Sequence, residues 1–290
     1  MPIPNLTIIG ESINDSVPST HELFENGDIE KILELAKVQD EKGAAYIDVN
    51  IGKRPPAFMA DLVRRIQQVT SKPLSIDTPD PEIAAAGLEV YDPGRAGGKK
   101  PVLNSISRTR LEMFDLGRIR PFIPILLATE CVDADGKPMM NRTGEETHRT
   151  AAELVRIASE RMAGFSNNQV ILDSGIAPIG SDLEGNFKRL MEAMRMIHED
   201  PELAGVNMSV GLSNFTVMLP SKRADGSPVK GPLESAFLTL AMPLGLNTVI
   251  GSVKRNYQIL PNGHPALECL KDVLNLDGYD VLTRVMTYYS

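Results

Sequence analysis

At 290 residues, with 42% hydrophobic and 23% charged residues, the chain can bury a large core. Its formal net charge of −8 gives a nucleic-acid partner no long-range support, and no run resembles a signal peptide or a membrane span. Two cysteines, Cys131 and Cys269, are too few to staple a chain of this size, so free thiols in a reducing cytoplasm are expected.

Short runs rich in Ile, Val and Leu predict strands at 6–10, 45–50, 74–77, 101–104, 123–128, 169–173, 206–210 and 248–250. Between them, apolar residues at three- and four-residue spacing predict helices at 29–42, 57–69, 81–91, 108–117, 145–162, 184–197 and 233–240. Further helices are expected at 265–275 and 279–287. Strand and helix alternate without a composition break, which predicts an α/β fold: one (β/α)8 TIM barrel spanning 1–290 as a single domain. An open doubly wound sheet is the structural alternative. No Gly-x-Gly-x-x-Gly follows the first strand, and the segment 94–98 lacks a Gly-Lys-Ser/Thr ending, so neither nucleotide-binding loop is present. The connections 11–28, 129–144 and 211–231 are long, and each follows a strand. In a barrel they gather over the C-terminal mouth, where binding sites form.

The strands end in polar residues: IIGESIN, YIDVN, LSIDT, VLNS, VILDS and NMSVGLSN. A lone Asp or Asn there often caps the next helix. As a set, Asp77 and Asp173 with Asn50, Asn104 and Asn214 suit a neutral heterocycle. A carboxylate accepts two parallel N–H bonds from an amidine-like ring edge, and amides complete the donor–acceptor pattern. Oxygen ligands would also suit Mg²⁺ or Ca²⁺, but no calcium loop is present. The four histidines, His21, His148, His198 and His264, sit in no zinc motif, and no protein-bound metal is expected.

The ordered series IIGESIN, YIDVNIG, SIDTPDPEIAAAGL, VLNSIS, ILDSGIAP, GLSNFT and FLTLAMPLGLNTVI resembles the pterin-binding methyltransferases. These enzymes move a methyl group between methyltetrahydrofolate and a corrinoid protein. The resemblance runs from about residue 6 to the end of the chain. It implies that Asp173 pairs with the pterin N3–H and 2-amino group and that Asp77 binds the same amino-pyrimidine side. It places Asn104 at the ring nitrogens and Asn214 at N5, with Gly211 and Ser213 shaping the same wall. Glu11, Asn14, Asn50 and Ser105 fall in supporting positions. The N5–CH3 bond breaks at a tertiary amine, which leaves badly unless protonated or strongly hydrogen-bonded. An amide does not titrate, so Asn214 would hold N5 and accept from N5–H⁺. The proton would come through water arranged by Asp77 or Asn50.

The resemblance further implies tetrahydrofolate or 5-methyltetrahydrofolate as substrate and a homodimer. No Asp-x-His-x-x-Gly motif surrounds any histidine, so the corrinoid is expected on a separate partner protein docking over the mouth. Two features depart from the family pattern. Ser12 stands where GERIN has Arg, which removes a cationic anchor. The loop TVMLPSKRADGSPVKGP is longer than the usual connection. The alternatives are a dihydropteroate synthase-like enzyme, with Ser252 and Lys254 imitating a phosphate site, and a non-catalytic pterin-binding protein. Direction is open: the same site serves removal of methyl from methyltetrahydrofolate or its loading during O-demethylation.

Overall fold

The computed structural model describes residues 3–290. In chain order the elements begin with β1 (Thr7–Asn14), α1 (Pro18–Glu25), α2 (Ile29–Glu41), β2 (Tyr46–Asn50), α3 (Pro56–Val69), β3 (Leu74–Asp77) and α4 (Pro81–Val90). The middle of the chain forms β4 (Val102–Ile106), β5 (Ile123–Leu127), β6 (Glu130–Val132), β7 (Pro138–Met140), α5 (Gly144–Arg161), β8 (Ile171–Asp173) and α6 (Asn186–Glu199). Then follow β9 (Asn207–Ser209), α7 (Leu212–Thr216), α8 (Lys230–Ala241), β10 (Thr248–Gly251), α9 (Pro265–Val273) and α10 (Tyr279–Tyr289).

Eight parallel strands run in the order β10-β1-β2-β3-β4-β5-β8-β9. The bridges Met208–Leu246 and Gly211–Ile250 bring β9 back to β10 and complete a (β/α)8 barrel. The helices form the outer layer. In α3, Met59, Leu62, Val63 and Ile66 are buried at helical spacing, and Pro56 supplies the preset φ of a first turn. Thr143 and Glu146 close a capping box at the start of α5.

Inside the barrel, side chains alternate with period two along each strand. Ile9, Val102, Ile125 and Ile171 pack together, with Tyr46, Ile123 and Ile250 against them. Two residues further along the same strand faces, apolar side chains give way to Glu11, Asp48, Asn104 and Asp173. The barrel is therefore plugged with hydrocarbon below and polar at its C-terminal mouth.

Several elements differ from the sequence expectation. β1 does not stop at Gly10 but continues to Asn14 through a register shift between Gly10 and Ile13. The buried Gln39 of α2 makes this possible: its Oε1 accepts from Ser12 N–H at 2.9 Å. A Cβ on Gly10 would stand 2.5 Å from that oxygen, so the approach requires glycine. The long connections are partly ordered elements: 11–28 holds α1, 129–144 holds the β6–β7 hairpin, and 211–231 begins with α7. The helix expected at 108–117 is a 3-10 segment, Leu111–Arg118. Ser107 and Thr109 are drawn instead to Glu130 of the hairpin, Thr109 at 2.6 Å. Arg54 ties the segment after β1 to α1. It pairs with Asp15 and Glu25 at 2.6 Å each and stands over the Phe24 ring of α1 at 4.6 Å.

Candidate functional site

A cavity of about 580 Å³ opens at the C-terminal mouth, bounded by strand ends and by α7. The residues assigned from the sequence to the methyl-transfer site all line it except Asn50. Asn50 stands just behind, where its Nδ2 donates to Asp77 Oδ2 at 2.9 Å and its Oδ1 accepts from Gly52 N–H at 2.9 Å. Its place is that of a support for Asp77. Asn14 is turned toward its own loop, accepting from Ser16 N–H and hydroxyl at 2.8 and 2.6 Å. Ser105 receives a long bond from Arg110 at 3.4 Å.

Parallel registers set the walls. Asp77 lies beside Asn104 across β3 and β4, and Asp173 lies between Leu127 and Ser209 across β5, β8 and β9. Asp173 is 6% exposed. Its Oδ1 accepts from Gly175 N–H at 2.8 Å and its Oδ2 from the Ser209 hydroxyl at 3.2 Å. Burial pushes its pKa up to about 6, against the opposing pull of those two donors and of Arg189. Arg189 fixes the segment from behind, donating to the carbonyls of Ser174 and Gly175 at 3.0 and 3.1 Å. Gly175 itself has φ +69°, and an added Cβ would fall 1.8 Å from Thr129 Cγ2.

One acid of this wall is absent from the sequence reading. Asp48 is 1% exposed, and neither of its carboxyl oxygens has a hydrogen-bond partner. It lies beside Ser75, Asp77 and Asn104. Burial and then the adjacent Asp77 hold Asp48 well above the ordinary carboxylate range, while Asp77 is raised mainly by its burial. Two carboxyls so placed cannot both ionise easily, so the pair retains a proton between them, with the Asn50 bond favouring charge on Asp77. The signal was available: Asp48 precedes Asn50 by two residues and therefore shares its strand face.

Asn214 sits in the short helix α7 rather than in a loop and is exposed at the cavity rim. Among the described residues no hydrogen bond engages its side chain, while its backbone N–H donates to Gly211 O at 3.0 Å. Gly211 leaves the side chain room, since a Cβ there would come within 2.9 Å of Asn214 Nδ2. Ser213, on the same turn, donates its hydroxyl to Glu11 of β1.

The ionisable groups lining the cavity are thus all acids: Glu11, Asp48, Asp77 and Asp173. Among the described residues no Lys or Arg lines it. Lys254 and Arg255 instead line a separate cavity of about 350 Å³. A wall with buried acceptors, one unpaired carboxyl and free amides is built for a compact ring carrying several N–H donors.

Barrel and mouth together define a (β/α)8 protein with a polar, acid-lined cavity at its strand ends. Residues 13–251 match the family model described as pterin binding enzyme, and the chain belongs to that family. It is 27% identical over 262 residues to the methylcorrinoid:tetrahydrofolate methyltransferase of Eubacterium limosum, covering 84% of each chain. It is 26% identical to methionine synthase of Mycobacterium leprae across 99% of its own length, which spans 24% of that protein. Among solved structures, dihydropteroate synthase of Yersinia pestis in a sulfonamide complex superposes with a TM-score of 0.59. At 15% identity over 95% of this chain and 96% of the other, that likeness is one of fold alone. Among the described residues no helix is long and apolar enough to cross a membrane.

Proposed function

We propose that the chain is a methyltransferase moving a methyl group between N5 of (methyl)tetrahydrofolate and a corrinoid carried by a separate protein. The observation that carries this reading is the all-acid lining of the cavity, with amides at its rim and no cation in its wall. Asp173 would accept from N3–H and the 2-amino group of the pterin. The Asp48–Asp77 pair offers one further acceptor and one acidic O–H to the same ring, and Asn104 can meet the ring nitrogens. These bonds to charged acceptors in a buried wall would contribute about 1.5–3 kcal/mol each.

Asn214 would stand at N5. As the N–CH3 bond breaks, its amide oxygen accepts from N5–H⁺, so the interaction strengthens as charge develops on nitrogen and favours the transition state. The corrinoid supplies the cobalt that takes or gives the methyl group and belongs to the partner. The match to a methylcorrinoid:tetrahydrofolate methyltransferase over 84% of both chains supports the same assignment.

The dihydropteroate synthase-like reading is weaker on the same ground. A diphosphate leaving group asks for cations in the pterin cavity, and here Lys254 and Arg255 line a different one. The test offers the purified protein both chemistries. Folate-dependent change in the cobalt spectrum of free cob(I)alamin is expected, with no dihydropteroate formed from a dihydropterin diphosphate and 4-aminobenzoate. Dihydropteroate formation without methyl transfer would overturn the proposal.

A further inference from the structure

Glu11 differs from the other acids of the cavity in what it touches. The shift in β1 after Gly10 carries it into the wall, where it receives the hydroxyl of Ser213, the residue before Asn214. Asp48, Asp77 and Asp173 belong to β2, β3 and β8 and make no such bond to α7. Glu11 is therefore the acid joined to the turn that would hold N5.

Behind Glu11 the polar groups continue through the wall. Glu234 of α8 is fully buried, accepts the Thr216 hydroxyl at 2.6 Å, and lies 3.2 Å from Arg255 Nε. The Tyr257 hydroxyl is buried in the same cluster and has no hydrogen-bond partner. Arg255 is the guanidinium that faces both Glu11 and Glu234, with Lys230 a further cation near Glu234. Its side chain is 37% exposed and lines the separate cavity of about 350 Å³. The buried Glu234 and the half-buried Glu11 share the guanidinium, so ionising both leaves one poorly compensated. The cluster therefore favours a proton on one of its acids, and Glu11 is the member that lines the cavity at the mouth. Burial raises the pKa of Glu11, opposed by the Ser213 bond and Arg255, which is the direction an acid catalyst needs.

We propose that Glu11 is the proton donor for N5 of the pterin and that the Ser213 hydroxyl relays the proton. The proposal rests on the methyl-transfer reading above. In the demethylating direction the protonated Glu11 becomes the donor to Ser213 Oγ, the Ser213 hydroxyl turns from Glu11 to N5, and the Glu11 proton passes to Oγ as the hydroxyl proton passes to N5. The N5–CH3 bond breaks with its electron pair left on nitrogen, and the methyl passes as a cation equivalent to the reduced corrinoid of the partner. Tetrahydrofolate leaves with N5–H, and the Glu11 carboxylate regains a proton from solvent through the vacated cavity that it lines. The reverse reaction returns the N5 proton to Glu11.

The test uses single-turnover transfer from 5-methyltetrahydrofolate to cob(I)alamin over a range of pH, with Glu11→Gln and Ser213→Ala. Wild type should speed up as pH falls through the Glu11 titration. Glu11→Gln should lower the rate about 10²-fold near neutrality and lose that rise, with the folate Kd unchanged to within about threefold. Ser213→Ala should be slower by about tenfold and keep the pH dependence. A second readout needs no corrinoid: the infrared carbonyl band of protonated carboxyls in the folate complex should lose part of its intensity in Glu11→Gln. Wild-type rate and pH profile in Glu11→Gln, or an unchanged carbonyl band, would overturn the assignment. Absence of folate-dependent transfer in wild type would instead sink the methyl-transfer reading on which it stands.

Discussion

Asp173 and Gly175 show how much of the site depends on single side chains. Asp173→Asn keeps the shape of the carboxyl but replaces one acceptor with a donor facing a donor edge. Folate affinity should fall by about 10–100-fold, read by calorimetric titration, with the rate at saturation changing less than the affinity. Gly175→Ala adds a Cβ into Thr129 at a backbone φ of +69°. It should cost about 2–4 kcal/mol of stability by denaturant titration, whereas Gly97→Ala, where nothing lies within 4 Å of the new Cβ, should cost only the left-handed backbone term of about 1 kcal/mol. Asp77, Asn104 and Asp173 were legible because each stands at or near a strand end, where polarity breaks an apolar run. Asp48 was hidden in mid-strand inside YIDVN, and only alternation inward from Asn50 would have exposed it. The Ser213–Glu11 contact joins residues 202 positions apart, a pairing that no local pattern encodes.

Strands and helices were readable from periodicity because most of them fill one face with apolar side chains. The shortfalls lie where a single side chain redirects the backbone. Gln39 extends β1 past the glycine that looked like its end, and Glu130 recruits Ser107 and Thr109 from what looked like a helix start. The β6–β7 hairpin was read as loop because its strands have only three residues each and an exposed outer strand. That hairpin raises Met139 and Met140, 50% and 63% exposed, above the mouth, while Val217 and Met218 follow α7 at 57% and 64%. In the proposed reaction a corrinoid protein docking over the mouth would meet these side chains. Met139→Lys with Met140→Lys should slow transfer with the corrinoid protein by about tenfold. Transfer with free cob(I)alamin and folate affinity should stay unchanged in parallel assays.

At the level of the whole barrel, two buried and two half-buried acids around one cavity make stability depend on pH. Asp173, with a pKa of about 6, Glu11, and the Asp48–Asp77 pair, all raised, retain protons that the unfolded chain releases above about pH 4. The folded state binds more protons in that window, so stability should increase as pH falls from 7.5 to 5. For Asp173 alone the loss as pH rises from about 4 through 6 is on the order of 3 kcal/mol, of which about half falls above pH 5. Melting temperature against pH in wild type and Asp173→Asn checks this, the variant giving the shallower slope. The fold thus spends buried carboxyls on a ligand at some expense of its own stability, as sites commonly do. The most direct measurement of the central claim is stopped-flow single turnover of 5-methyltetrahydrofolate with cob(I)alamin in wild type and Asn214→Ala. The account predicts folate-dependent methyl transfer by wild type and a transfer step about 10²-fold slower in Asn214→Ala at nearly unchanged folate affinity. Tight folate binding with no transfer by wild type to either free cob(I)alamin or a corrinoid protein would contradict it.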